Sequence, residues 1–258
     1  MFNFFKKSEI PKYELAEEFR EDYSNILPVA NYFKNETGVT FDKQESILKN
    51  KAVTFCRQRK ICSFDKLLQE ISTNRDLKQE LIDTLTTNET FFYREFKQIE
   101  DLVKLVKDSG RRVDILCAPC ATGEEPYSIA IALLEAGVSP YNFHIVGIDI
   151  NSDAISRAKI ARYKERNVRN LSSTIIENYF IKEQDLYILK ESIKSQVSYK
   201  IVNIFDPSFS AIGKFDFIFS RNMLIYFDKE TKLKAKKLLE SLRKDPTQEI
   251  FFGHADLF

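Results

Sequence analysis

Apolar residues recur at three- and four-residue steps early in the chain: Ile47, Leu48, Ala52 and Phe55, then Phe64, Leu67, Leu68 and Ile71, then Leu77, Leu81, Ile82 and Leu85. Such spacing gathers them on one face of each helix, and helices of that kind bury the face against one another. Ser63 with Asp65, and Asn74 with Asp76, provide the short polar side chains that cap helix starts. A small all-helical domain is expected within residues 1–85, with helix from about residue 11. Residues 86–110 are expected to form a linker and connecting helix, with Ile99, Leu102, Val103 and Val106 on one face and Gly110 as its stop.

From residue 112 the pattern changes to short apolar runs alternating with amphipathic stretches, which predicts βαβ units and a mostly parallel sheet over residues 111–258. Strands are expected at Val113–Ala118, Phe143–Ile150, Phe215–Phe219 and Glu249–Gly253, and helices at Glu125–Glu135, Ser152–Tyr163 and Lys229–Arg243. Right-handed crossovers place the C-terminal ends of such strands on one edge, where ligands bind. Leu186–Leu189 and Val197–Val202 read as β segments with no crossover helix between them, so a small antiparallel insert is expected at about residues 180–202.

Composition narrows the function classes. Of the 258 residues 39 are basic and 38 acidic, so the net charge of +1 gives the whole chain no reason to coat nucleic acid or an acidic membrane. Met1–Lys7 is too short and too soon charged for a signal peptide, and no run of about eighteen apolar residues occurs, which predicts a cytosolic location without membrane insertion. Cys117-Ala118-Pro119-Cys120 has the spacing of a redox pair, but a Thr-Gly-Glu-Glu turn follows where the redox motif needs a helix. No metal-ligating pattern is evident, since Cys56, Cys62, His144 and His254 lack paired spacing.

Two features suggest a cofactor edge. Gly123 sits in the turn after the first strand and Asp149 ends the second, as an adenosine-binding sheet requires; a carboxylate there accepts hydrogen bonds from both ribose hydroxyls. Asp149 could equally cap the helix that begins after Asn151. Thr86-Thr87-Asn88-Glu89-Thr90-Phe91-Phe92-Tyr93-Arg94-Glu95 fits neither a strand nor an amphipathic helix.

That block, together with Ala121-Thr122-Gly123-Glu124-Glu125-Pro126-Tyr127-Ser128, Asp149, Asn203-Ile204 and Ser220-Arg221-Asn222-Met223-Leu224-Ile225-Tyr226-Phe227-Asp228, resembles the chemotaxis receptor methyltransferases, the CheR family. The resemblance covers nearly the whole chain. It implies an α/β class I methyltransferase fold, Rossmann-like, with a helical N-terminal receptor-recognition domain. It also implies methyl transfer from S-adenosylmethionine to receptor glutamates, leaving S-adenosylhomocysteine. By the same resemblance Asn88, Thr90, Arg94, Glu124, Asp149, Asn203, Ile204, Ser220 and Arg221 bind the cofactor, while Arg94 and Tyr226 are catalytic.

The partners implied are cytoplasmic domains of methyl-accepting receptors. The stretch from Lys43 to Lys60 carries Lys43, Lys49, Lys51, Arg57, Arg59 and Lys60 against Glu45, a basic helix suited to glutamate-rich receptor helices. Relatives that tether a receptor peptide carry a longer, glycine-bearing loop at the insert than Ile181–Asp185, which argues against tethering here. Relatives also usually continue into two further antiparallel strands, so a sheet edge is expected to be uncovered or covered by helices. Two other readings stay open: a class I methyltransferase acting on RNA or a small molecule, and a catalytically weak receptor-binding module.

Overall fold

A computed structural model describes residues 21–42 and 44–256. The expectations placed on Met1–Lys7, on helix from residue 11, on Lys43 and on Leu257 and Phe258 lie outside those residues. Four helices come first: α1 (Leu27–Thr37), α2 (Glu45–Gln58), α3 (Phe64–Thr73) and α4 (Arg75–Leu85). The expected caps form, since Ser63 Oγ accepts from the Lys66 N–H at 3.1 Å and Asn74 Oδ1 from the Leu77 N–H at 3.0 Å. Val29, Phe33, Leu48, Phe55, Leu67 and Leu81 close a core of their own.

Helix α5 (Phe96–Ser109), read from sequence as a connector, packs instead as part of the sheet layer. Its Ile99, Leu102 and Val106 share a core with Val113 and Ile115 of β1 (Val113–Cys117) and Ile129 of α6 (Glu124–Glu135). There follow β2 (Phe143–Asp149), α7 (Ser152–Ile160), β3 (Arg162–Lys164), α8 (Glu165–Val168), α9 (Ser173–Tyr179), β4 (Phe180–Glu183), β5 (Leu186–Leu189) and α10 (Glu191–Lys194). The chain then forms β6 (Val197–Ile201), β7 (Phe217–Ser220), α11 (Lys229–Glu240) and β8 (Phe251–Phe252). The main sheet has order β6-β2-β1-β7-β8 with every neighbouring pair parallel.

The antiparallel insert differs from the expected one. Val197–Ile201 runs parallel to β2, with Ile145 opposite Val197 and Asp149 opposite Ile201. The whole excursion from α7 through α10 acts as one long crossover, so the returning strand covers what would otherwise be the open edge of β2. The insert is the sheet β3-β5-β4. Its first strand falls where a helix to Tyr163 was expected: Ala161 takes φ 55 and ends α7, and Tyr163 turns inward against Phe92.

The helical unit is fastened to the sheet at the start of α7. Asp83 Oδ1 accepts from the Ser152 N–H at 2.7 Å, Asn151 Nδ2 donates to Thr86 Oγ1 at 2.7 Å, and Gln79 Nε2 donates to the Ile150 carbonyl at 2.9 Å. An acid at a helix N-terminus is also favoured by the backbone dipole. No helix among the described residues is long and apolar enough to cross a membrane.

Candidate active site

The C-terminal ends of β1 and β2, with the segments after β6 and β7, open onto one cavity of about 140 Å3, roofed by the Thr86–Glu95 block. Asn88, Thr90, Arg94, Asp149, Asn203, Ile204, Arg221 and Tyr226 all line it, brought together from across the sequence. Ser220 does not; it is buried in β7. Glu124 does not either, and its neighbour Glu125 does. Consecutive helical residues point about 100° apart, so the two acids diverge, Glu125 toward the cavity and Glu124 away from it. Glu124 faces away and accepts from Thr122 Oγ1 and Asn167 Nδ2, each at 2.7 Å, with burial raising its pKa. From the sequence a Glu-Glu pair at a helix start does not say which member turns inward.

The turn that presents α6 requires glycine. Gly123 sits at φ +92, and a Cβ there would lie 2.7 Å from Tyr199 Oη and 3.0 Å from Ala158 Cβ. Asp149 is 6% exposed; its Oδ2 accepts from the Ala121 N–H and its Oδ1 from the Asn151 N–H, both at 2.9 Å. Burial pushes its pKa up to about 6, against the pull of those backbone donors. The carboxylate therefore joins the turn to the start of α7 while facing the cavity. Asn203 uses its side chain structurally, with Nδ2 donating to the Glu36 carbonyl at 2.6 Å and Oδ1 accepting from the Phe205 N–H at 3.0 Å.

The roofing block, irregular in sequence, is held by particular contacts. Phe92 is fully buried, edge-on to Tyr163 at 4.9 Å and Phe180 at 5.3 Å, and its N–H donates to the Asn167 carbonyl at 2.8 Å. Tyr93 stacks on Phe96 at 4.0 Å, and its N–H donates to Ser128 Oγ at 3.0 Å. Phe91 lies under the Arg169 guanidinium at 3.9 Å. Tyr93 and Glu95 take φ 56 and 49, uncommon for residues with a Cβ, so these contacts maintain a backbone that local preference does not.

Arg221, 5% exposed, ties the cavity together: Nε pairs with Glu125 Oε2, and an NH group donates to the Arg94 carbonyl at 2.8 Å. Glu125 Oε1 is buried with no partner among the described residues. Arg94 donates to the Glu89 carbonyl at 3.2 Å, and its charge acts on Tyr226, whose phenol burial pushes up in pKa.

Sequence reasoning missed Asp256. It is fully buried, and its carboxylate accepts from the N–H groups of Asn222, of Gly253 at 3.2 Å and of Ile225 at 3.2 Å, which fixes the turn carrying Tyr226. No motif surrounds it, so no sequence pattern announces the role. The thiols of Cys117 and Cys120 are buried and unpaired, with burial raising both well above the ordinary cysteine range. Neither offers the exposed thiolate that redox exchange needs.

A family model described as "CheR methyltransferase, SAM binding domain" matches residues 88–258. The chain is 35% identical over 222 residues to a chemotaxis protein methyltransferase of Campylobacter jejuni, covering 86% of this chain and 84% of that protein. It is 29% identical over 227 residues to the chemotaxis protein methyltransferase of Salmonella typhimurium, covering 85% and 78%. With chemotaxis protein methyltransferase 2 of Vibrio cholerae it shares 30% identity over 241 residues, covering 88% and 83%.

Proposed function

The chain belongs to the CheR methyltransferase family, and from that premise we propose that it transfers the methyl group of S-adenosylmethionine to glutamate side chains of chemotaxis receptors. The observation that carries the site assignment is the meeting of Arg94 and Tyr226 with Asp149 and Glu125 on one cavity. The residues present fit an S-adenosyl group. Each oxygen of Asp149 accepts one backbone N–H and has lone-pair capacity left for ribose hydroxyls. The unpartnered Glu125 Oε1 suits the ammonium of the methionine portion, so Glu125 takes the part expected of Glu124. Asn88, Thr90, Asn203, Ile204 and the backbone of Ser220–Arg221 complete the proposed binding set.

The bound donor supplies a methyl group on a positively charged sulfur. A glutamate side chain with a pKa of about 4.3 is already ionised near neutral pH, so this chain need provide no general base. Its own residues align and exclude water: Arg94 and Tyr226 orient the incoming carboxylate by hydrogen bonds, and the Thr86–Glu95 roof shields the reacting pair. Alignment of this kind is worth roughly 7–11 kcal/mol.

The helical unit, residues up to 85, is assigned to receptor recognition through α2, and residues 111–258 to catalysis, in the cytoplasm where receptor signalling domains lie. The short turn between β4 and β5 gives no support to peptide tethering. The test is labelled methyl transfer to purified receptor cytoplasmic domains, scored as base-labile ester. Arg94→Ala is expected to lower the rate about 10²–10³-fold; a folded wild-type protein that binds S-adenosylmethionine yet forms no ester would overturn the assignment.

A further inference from the structure

The basic helix α2 is less available to a partner than its sequence suggests. Arg57 is bidentate to Glu21, with contacts of 3.1 and 2.7 Å. Arg59 donates twice to Glu80, at 2.8 and 2.6 Å, and lies over the Phe55 ring at 3.8 Å. Lys51 reaches the Leu85 carbonyl at 3.4 Å.

A second basic surface is left largely without such partners. On the other side of the roofing block, a cleft of about 330 Å3 runs between Asn88–Phe91 and the turn formed by β3 and α8. Its walls carry Arg157, Arg162, Lys164, Arg166 and Arg169. Arg157 is paired with Asp153 at 2.8 Å, and Arg169 is stacked on Phe91. Arg162, Lys164 and Arg166 are exposed, and none has a carboxylate within 4.0 Å among the described residues. Of the acids in the lining, Glu124 is buried and hydrogen-bonded and Asp153 is paired, which leaves Glu89 at the rim. The cleft is therefore strongly positive, and low-dielectric walls concentrate such a field.

Its position gives the charge a purpose. Asn88, Glu89 and Thr90 line both this cleft and the site cavity, so an occupant of the cleft adjoins the site across those three residues. We propose that the cleft between Asn88–Phe91 and the β3–α8 turn is a docking surface for the acidic face of the glutamate-rich receptor helix whose side chain is methylated. The proposal rests on the functional reading above and names where the flanking acids of that substrate bind. Charge complementarity favours a glutamate-rich peptide over RNA: of the two aromatic side chains on the cleft wall, Phe91 is already covered by Arg169 and Tyr163 is buried edge-on to Phe92, which leaves no stacking platform for bases.

The test uses the full chain with three variants: Arg162→Glu/Lys164→Glu/Arg166→Glu, the milder Arg162→Gln/Lys164→Gln, and Arg57→Glu/Arg59→Glu for comparison. S-adenosylmethionine binding by calorimetry verifies that each is folded. With a purified receptor cytoplasmic domain as substrate, the triple variant is expected to raise KM about tenfold or more and flatten its dependence on salt, with kcat within about twofold. The Gln pair shows the same trend more weakly. Unchanged KM in both cleft variants, while wild type transfers methyl normally, would overturn the docking proposal and leave the functional one standing. If wild type transfers no methyl, anisotropy with a labelled glutamate-rich helical peptide still decides: binding lost in the triple variant and absent for the glutamine version of the peptide supports the cleft. Preferential capture of a single-stranded RNA oligomer overturns it.

Discussion

Two of the walls that enclose the candidate site are built on opposite principles. The floor is the edge of a parallel sheet, where Asp149 is placed by a register running over five residue pairs between β1 and β2 and five more between β2 and β6. The roof, Thr86–Glu95, has no repeating ladder. It is held by a buried arginine, one serine hydroxyl, one asparagine carbonyl and the three aromatic rings. Position on the floor is over-determined, so one substitution there changes chemistry more than shape. Position on the roof depends on single contacts, so one substitution can release it. A roof of that kind suits the part proposed for it, meeting both cofactor and substrate.

Arg221→Ala gives the sharpest test of this contrast. It leaves Glu125 buried without a partner and frees the Arg94 carbonyl, so a loss of about 3–5 kcal/mol is expected in chemical denaturation. Protection of roof amides against hydrogen exchange should fall well before that of β1 and β2; uniform loss across both walls would erase the distinction.

On the floor, the effect of Asp149 is electrostatic. Its folded pKa of about 6 lies above the ordinary 3.8, so its contribution to stability is full below about pH 4 and is lost as pH rises through 6. That difference is worth about 3 kcal/mol. Relative to wild type, Asp149→Asn should therefore gain stability between pH 4 and pH 7.5 while losing affinity for S-adenosylmethionine at the higher pH. A stability difference that does not change with pH would contradict the burial argument.

Ser128→Ala removes the hydroxyl that receives the Tyr93 N–H and is expected to cost about 1–2 kcal/mol. The loss should appear as a weakened roof with the sheet midpoint little moved, read by proteolysis near Tyr93. Cleavage unchanged from wild type would show that the aromatic contacts suffice.

Much of the floor was legible in the sequence. Strand ends fell within a residue or two of expectation at β1 and β2, because continuous apolar runs bounded by polar turns have few other solutions. Gly123 and Asp149 could be placed because both answer to local requirements. The insert was misplaced because Val197–Ile201 has the same alternating pattern whether it pairs inside an insert or along β2, and only the open edge of β2 decides. The roof's aromatics looked anomalous because their partners, Tyr163 and Phe180, lie some seventy or more residues away.

The amino-acid sequence by itself determined a helical unit followed by a mostly parallel α/β sheet, and the places of Gly123 and Asp149 at the ends of its first two strands. Those depend on periodicity and on short-range turn chemistry. Only the tertiary structure decided that Glu125 and not Glu124 faces the cavity, that Asp256 anchors the Tyr226 turn, and that α2's arginines are paired while those of the β3–α8 turn are not. Each of these is a matter of orientation or of long-range pairing, which arises when surfaces distant in sequence compete for the same buried space or the same counter-charge.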